Sequence, residues 1–183
     1  MKTTYQLDSN HSQIHFSVRH MVISKVRGQF GQFTADLQLD EQDLTRSTVD
    51  VSIATPSIAT GVADRDTHLR SADFLDVEHF PTMTFKSKAI EQKGDDRFLV
   101  RGDLTIRGVT QSVVLDTELN GRGKDPWGNN KIGFSARTSL DRKAFGLTWN
   151  MVLETGGLLV ADRVDIEIEI EANAARATEK AAS

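Results

Sequence analysis

The chain has 183 residues, enough for one domain at roughly 150 residues per domain and long enough to bury a sizeable core. Its 22 Lys and Arg against 26 Asp and Glu leave a formal net charge of -4. That balance excludes the basic surface of a sequence-independent nucleic-acid binder, though not a small local site for an anion. With no cysteine there is no disulfide framework, thiol nucleophile or cysteine-ligated zinc.

The first ten residues, MKTTYQLDSN, contain no apolar core of a secretory leader. The expected location is therefore cytoplasmic, or periplasmic had a leader been cleaved. No apolar run approaches the ~20 residues of a membrane-spanning helix.

In chain order, the dominant signal is alternation with period two, the mark of half-buried strands. Ile14, Phe16 and Val18 alternate with His15, Ser17 and Arg19. Gln29 to Leu39 reads as a further strand in which Phe30 and Phe33 differ in parity. Either a bulge sits near Gly31 or one of the two rings faces outward. Val49, Val51 and Ile53 alternate with Asp50 and Ser52. From Ala63 to His79 the rhythm breaks, and this segment is expected to be a helical crossing with Asp64 as its N-cap. Asp73 to Val77 is expected to form a second short helical turn, ended before Pro81. Alternation then resumes around Met83 and Phe85, and again from Phe98 through Val100 and Leu104 to Ile106. It continues at Val113 and Leu115, at Ile132, Phe134 and Ala136, and at Val164, Ile166, Ile168 and Ile170. Turn signals lie at Gly94 to Asp96, at Arg107-Gly108, and from Gly121 through Asn130. The tail after Glu171 has no apolar residue larger than Ala, so residues 1–172 are read as the domain and 173–183 as a frayed end.

About eight strands with one apolar face each, and one helical crossing, predict an all-β antiparallel barrel. Its interior is either filled by side chains or wide enough for a small ligand. The residues expected inside begin with Phe16, Val18, Phe30, Phe33, Val51, Ile53, Met83 and Phe85. They continue with Val100, Leu104, Val113, Leu115, Phe134, Trp149, Ile166 and Ile168.

Few residues suggest reaction chemistry. On a strand, His15 and His20 point to opposite faces, and His11 and His15 lie roughly 13 Å apart, so no metal is expected. Nucleotide-binding, Walker and nucleophile-elbow motifs are absent, and no cofactor is expected. Asp64, Asp66, Asp73, Asp76 and Glu78 read as caps and solvated acids of the crossing. Arg65, Asp66, His68 and Arg70 form the densest polar cluster. Either Arg65, His68 and Arg70 receive the anionic head of a ligand at the barrel mouth, or charge pairing fixes the crossing. Trp127, between Pro126 and Gly128, reads as exposed and available to a partner.

Taken together, the motifs resemble the YceI-like family of lipocalin-like polyisoprenoid-binding proteins. The resemblance begins with Tyr5-x-Leu7-Asp8-x-x-His11-Ser12-x-Ile14-x-Phe16, His20 and Gly28-x-Phe30. It continues through Ser57-Ile58-x-Thr60-Gly61, Arg65-Asp66-x-His68-Leu69, Asp73 to Val77 and Phe80-Pro81-x-Met83-x-Phe85-x-Ser87. Gly102 to Thr110, Arg142 and Phe145-Gly146-Leu147 complete it, so it runs from about Tyr5 to Glu171. The resemblance implies an extended lipocalin-like barrel holding a long apolar chain, such as a polyprenyl diphosphate or a fatty acid or amide. It also implies a homodimer, and it supplies no catalytic residues.

The expected function is thus a carrier, store or sensor for a long-chain lipid, without enzymatic activity. Two other readings stand beside it. One is an enzyme acting on a small lipid or quinone-like molecule through His68, Asp66 or Asp64. The other is a filled barrel that contacts proteins through Trp127.

Overall fold

The computed structural model of the chain describes residues 1–175. The elements follow as β1 (Lys2–Leu7), β2 (Gln13–His20), β3 (Ser24–Phe30), β4 (Phe33–Asp40), β5 (Thr48–Ala54) and β6 (Ile58–Ala59). Then come α1 (Ala63–Arg70), β7 (Thr82–Gln92), β8 (Arg97–Ile106), β9 (Val109–Lys124), β10 (Asn130–Asp141) and β11 (Val160–Ala174). The strands run β1-β4-β5-β7-β8-β9-β10-β11-β2-β3-β6, and β1 also pairs with β11, which closes the sheet on itself. Every pairing is antiparallel.

β1 and β2 lie end to end along β11, on its residues 172–174 and 160–169. β3 pairs with β2, and β4 with β1, so these two also follow one another in a single direction. Each end-to-end pair makes one stave, and the result is the eight-stranded antiparallel barrel expected from the alternation. Closure removes the open edges that a sheet of this length would otherwise expose.

The segment Gln29 to Leu39 is not one regular strand. It breaks at Gly31-Gln32, where β3 leaves β2 and β4 joins β1 and β5. The two-residue break resets the parity, and both Phe30 and Phe33 turn inward. A second reset lies in β7, where the register with β8 shifts between Ser87 and Ala89 and brings Ile90 to the inner face. β9 extends to Lys124, so the turn before β10 spans only 125–129, shorter than the Gly121 to Asn130 signal.

Strand directions place the β2–β3 turn, the β8–β9 turn, α1 and the segment 142–159 at one end, the upper rim. The 3-10 turn Leu44–Arg46 and the β9–β10 turn lie at the lower end. The β8–β9 turn has positive φ at both Arg107 and Gly108, the primed geometry that matches strand twist. Below, Tyr5, Leu37, Leu39, Leu44, Phe98 and Ile132 pack into a plug, and the Tyr5 hydroxyl donates to Glu41 at 2.8 Å. Burial and that carboxylate push the Tyr5 hydroxyl up to about 12.

The crossing differs in detail from expectation. Val62, not Asp64, is the N-cap, and it offers no side-chain cap. Asp64 and Asp66 stand in the first turn of α1, where carboxylates oppose the helix dipole. Asp73 to Val77 forms successive turns rather than a helix, held by Leu75 N–H to the Leu69 carbonyl and Val77 N–H to the Arg70 carbonyl. At the far end, Asn173 and Ala174 are not frayed but extend β11, facing Gln6 and Tyr5 of β1. The rest of the expected tail, from 176 onward, lies outside the described residues.

Candidate functional site

The inward faces of the staves surround a cavity of about 310 Å³. Phe16, Val18, Phe30, Phe33, Val51, Ile53, Met83 and Phe85 line it. So do Val100, Leu104, Val113, Leu115, Phe134, Ile166 and Ile168. It extends from Leu39 and Leu44 at the lower plug to Val18, Leu140 and Val160 below the upper rim.

Two glycines shape the wall. A Cβ on Gly28 would stand 2.3 Å from the Phe16 ring, and one on Gly102 2.5 Å from the Phe85 ring. Each glycine therefore leaves room for a phenylalanine ring of the neighbouring strand at the place where its own side chain would stand. Alternation could not show this, because a glycine has no sidedness in a hydrophobic pattern.

The lining is apolar except for Ser47, Thr117, Thr138 and Arg142. The Ser47 hydroxyl accepts from the Asp40 backbone N–H at 2.9 Å, and Thr117 donates to the Leu115 carbonyl at 3.3 Å. Arg142 is the one ionisable residue in the lining, and its guanidinium is spent on the backbone. It donates to the carbonyls of Leu147, Trp149, Ala161 and Val160 at 2.7, 2.9, 2.9 and 3.3 Å. Burial lowers its pKa from the ordinary value, against the opposing pull of Asp162. Chemically, this cavity offers surface to an apolar molecule and few directional groups.

Trp149 does not line it. Its ring meets His68 at 4.6 Å between centroids and Phe74 at 5.3 Å, forming part of the upper cover outside the lining. The covering segment 142–159 lacks periodicity, so no pattern in it separates Trp149 from the true lining. Phe145 and Leu147 of that segment, and Leu69, Phe74 and Leu75 of the equally aperiodic crossing, were not expected inside, and all five line the cavity.

Arg65, His68 and Arg70 also lie outside the lining, and their polar atoms serve the crossing. Arg65 donates to the Thr60 hydroxyl at 2.7 Å and carbonyl at 3.1 Å. Thr60 in turn donates from its N–H and hydroxyl to Asp66, so the expected direct Arg–Asp pair is a relay through Thr60. Arg70 donates to the carbonyls of Pro56 and Ile58 at 2.9 and 2.7 Å. His68 pairs with Asp73 at 2.8 Å. The cluster thus fixes the crossing, but Arg65 and Arg70 do so through neutral groups of Thr60, Pro56 and Ile58 rather than through the expected Arg–Asp pairing, and only His68 meets a carboxylate.

A second polar group joins β1, β2 and β11. Asp8, His11 and Glu171 bring one potential ligand atom each within 4.8 Å of one another. His11 stands in the β1–β2 turn and not on a strand. The Lys131 ammonium lies 2.9 Å from Asp8 and is also bonded to Glu171, and so supplies the countercharge. Those bonds, with His11, hold the Asp8 carboxyl at about 2, below its ordinary 3.8, and raise Lys131 to about 12. Trp127 is 78% exposed at the tip of the β9–β10 turn.

Comparison with known proteins places this architecture. A UPF0312 protein of Staphylococcus epidermidis is 38% identical over 170 residues, covering 92% of this chain and 96% of that one. The crystal structure of the Campylobacter jejuni YCEI protein superposes with a TM-score of 0.75 at 32% identity, over 86% of this chain and 90% of that chain. A polyisoprenoid binding domain from Saccharophagus degradans has the same fold, with a TM-score of 0.67 at 13% identity over 94% of this chain and 99% of its own. The family model for the YceI-like domain matches residues 5–172, and the chain belongs to the YceI-like family.

Proposed function

We propose that the protein binds a long apolar chain, a polyisoprenoid or a fatty acid or amide, inside the barrel as a carrier, store or sensor. The observation that carries this reading is the cavity of about 310 Å³ whose few polar groups are already engaged or are single hydroxyls. A volume in this range suits a small-molecule site. An apolar chain gains about 0.8 kcal/mol per buried methylene, so eighteen carbons offer roughly 14 kcal/mol before ordering and association costs. A charged head inside would be stranded without a partner, so it belongs outside the lining, in water. Selection then rests on length and shape. The polyisoprenoid-binding neighbour, although distant in sequence, supports the same class of ligand.

Binding rather than catalysis is the better reading because Asp64, Asp66 and His68 all lie outside the cavity lining. A filled barrel is disfavoured by the cavity itself. Native mass spectrometry with organic extraction of the gently purified protein tests the proposal. A stoichiometric lipid is expected, while turnover of that lipid lost on His68→Ala would restore the enzyme reading. A homodimer in the cytoplasm belongs to the same proposal, and sedimentation as a monomer at micromolar concentration would remove the dimer.

A further inference from the structure

The upper rim carries exposed apolar side chains that the barrel does not use. Among the described residues, the ten exposed large hydrophobics include Met21, Val22 and Ile23 at 40, 78 and 81% and Met151, Val152 and Leu158 at 56, 79 and 41%. These six form one patch. The Met21 N–H donates to the Leu159 carbonyl and the Leu159 N–H to the Met151 carbonyl, both at 2.9 Å, while Val152 bridges Leu158. The β2–β3 turn and the 151–158 hairpin therefore stand side by side as two apolar tips.

The turn is also strained. Met21 and Val22 have φ of 53 and 66°, a conformation that β-branched residues avoid and that Asn or Gly would adopt easily. Valine at a strained, 78% exposed tip serves neither local conformation nor the core.

Directly below the tips, the outer wall is basic. Val18 faces the cavity, so its neighbour Arg19 faces out, opposite Lys25 in register, with Arg27 two residues further along β3. Arg163 adjoins them on β11. All four are exposed; among the described residues Arg19 and Arg27 have no ion-pair partner, while Lys25 lies beside Asp165 in one small hollow with Arg163. Asp165 pairs with Arg163 at 2.7 Å, and Glu154 is the one acid on the tips themselves. This local excess of cations opposes the chain's net charge of -4.

We propose that the upper rim docks on anionic lipid bilayers, with the two tips in the acyl boundary and the Arg19–Lys25–Arg27–Arg163 collar against the headgroups. Apolar tips above a basic collar are the pattern of an interfacial membrane contact. A second copy seated rim to rim would instead bring two like-charged collars together. Docking this rim would also set the cavity, whose lining reaches Val18 and Val160, beside the bilayer. That consequence rests on the proposed lipid-binding function, but the docking surface does not.

The test is co-sedimentation of the full chain with vesicles of phosphatidylcholine alone and of phosphatidylcholine mixed with phosphatidylglycerol. Binding to the mixed vesicles is expected, weakened by salt, with little binding to the neutral ones. The Val22→Asn, Ile23→Ser double variant should bind about tenfold more weakly or less, since two exposed aliphatic contacts are lost. The Arg19→Gln, Lys25→Gln double variant should lose affinity for mixed vesicles on the order of tenfold. Both should keep the folded barrel, because neither site lies in the core, and native mass spectrometry reports separately whether the cavity lipid is retained. Docking is overturned if the wild type ignores both vesicles, or if the variants bind as it does. It is equally overturned if the tip variant turns a dimer into a monomer without changing vesicle binding, which would assign the rim to a second copy.

Discussion

At the scale of single residues, the site depends on what is absent as much as on what is present. A methyl at Gly102 would meet the Lys86 carbonyl at 2.4 Å and the Phe85 ring at 2.5 Å, whereas one at Gly123 meets nothing within 4 Å. Gly102→Ala should therefore cost about 1–3 kcal/mol in urea unfolding and push Phe85 into the cavity. Gly123→Ala, the control, should stay within about 0.5 kcal/mol of the wild type. The Asp8 carboxyl is held at about 2 against an ordinary 3.8. A depressed carboxylate stabilises the fold above its unfolded pKa and loses that contribution as pH falls through the folded value. Acid titration should thus remove stability between 3.8 and about 2, and Asp8→Asn should flatten that part of the curve. Neither feature was legible in the sequence. Gly102 and Asp8 were visible as motif positions, but what each touches lies on another element, β7 for Gly102 and chiefly β10 for Asp8.

At the scale of elements, strands were legible and their irregularities only in part: the parity of Phe30 and Phe33 pointed to the break near Gly31, and nothing pointed to the shift near Ser87. Val164 to Ile170 lines the cavity as strict alternation requires. Parity fails at Gly31-Gln32 and near Ser87, because a break or bulge adds residues that carry no hydrophobic signature. The covering segments were the least legible. They are positioned by side-chain bonds to distant carbonyls, which leave no periodicity. Arg142 ties Leu147 and Trp149 to Val160 and Ala161. Arg142→Ala would strand one buried carbonyl and three part-buried ones, so a loss of about 2–5 kcal/mol is expected, with faster amide exchange over 147–149. Arg70 anchors α1 to the carbonyls of Pro56 and Ile58. Arg70→Ala should therefore weaken binding of a polyprenyl diphosphate and of its neutral alcohol to the same degree. Selective loss of the diphosphate would return Arg70 to the head group.

At the scale of the molecule, patterning and the order of motifs were sufficient for the barrel and its family, since each strand had only to show which face is apolar. The sequence could not separate a filled interior from an open one, because the same alternation serves both. That distinction depends on how the rings of Phe16 and Phe85 lie over Gly28 and Gly102. The central claim is that the open, apolar interior holds an extended chain by burial alone. Displacement of a fluorescent fatty probe by unbranched primary alcohols of increasing length tests it most directly. Affinity should rise roughly fourfold per added methylene, as about 0.8 kcal/mol predicts, then level off once the cavity is full, with little dependence on salt. Affinity that does not change with chain length, or that follows ionic strength instead, would contradict it.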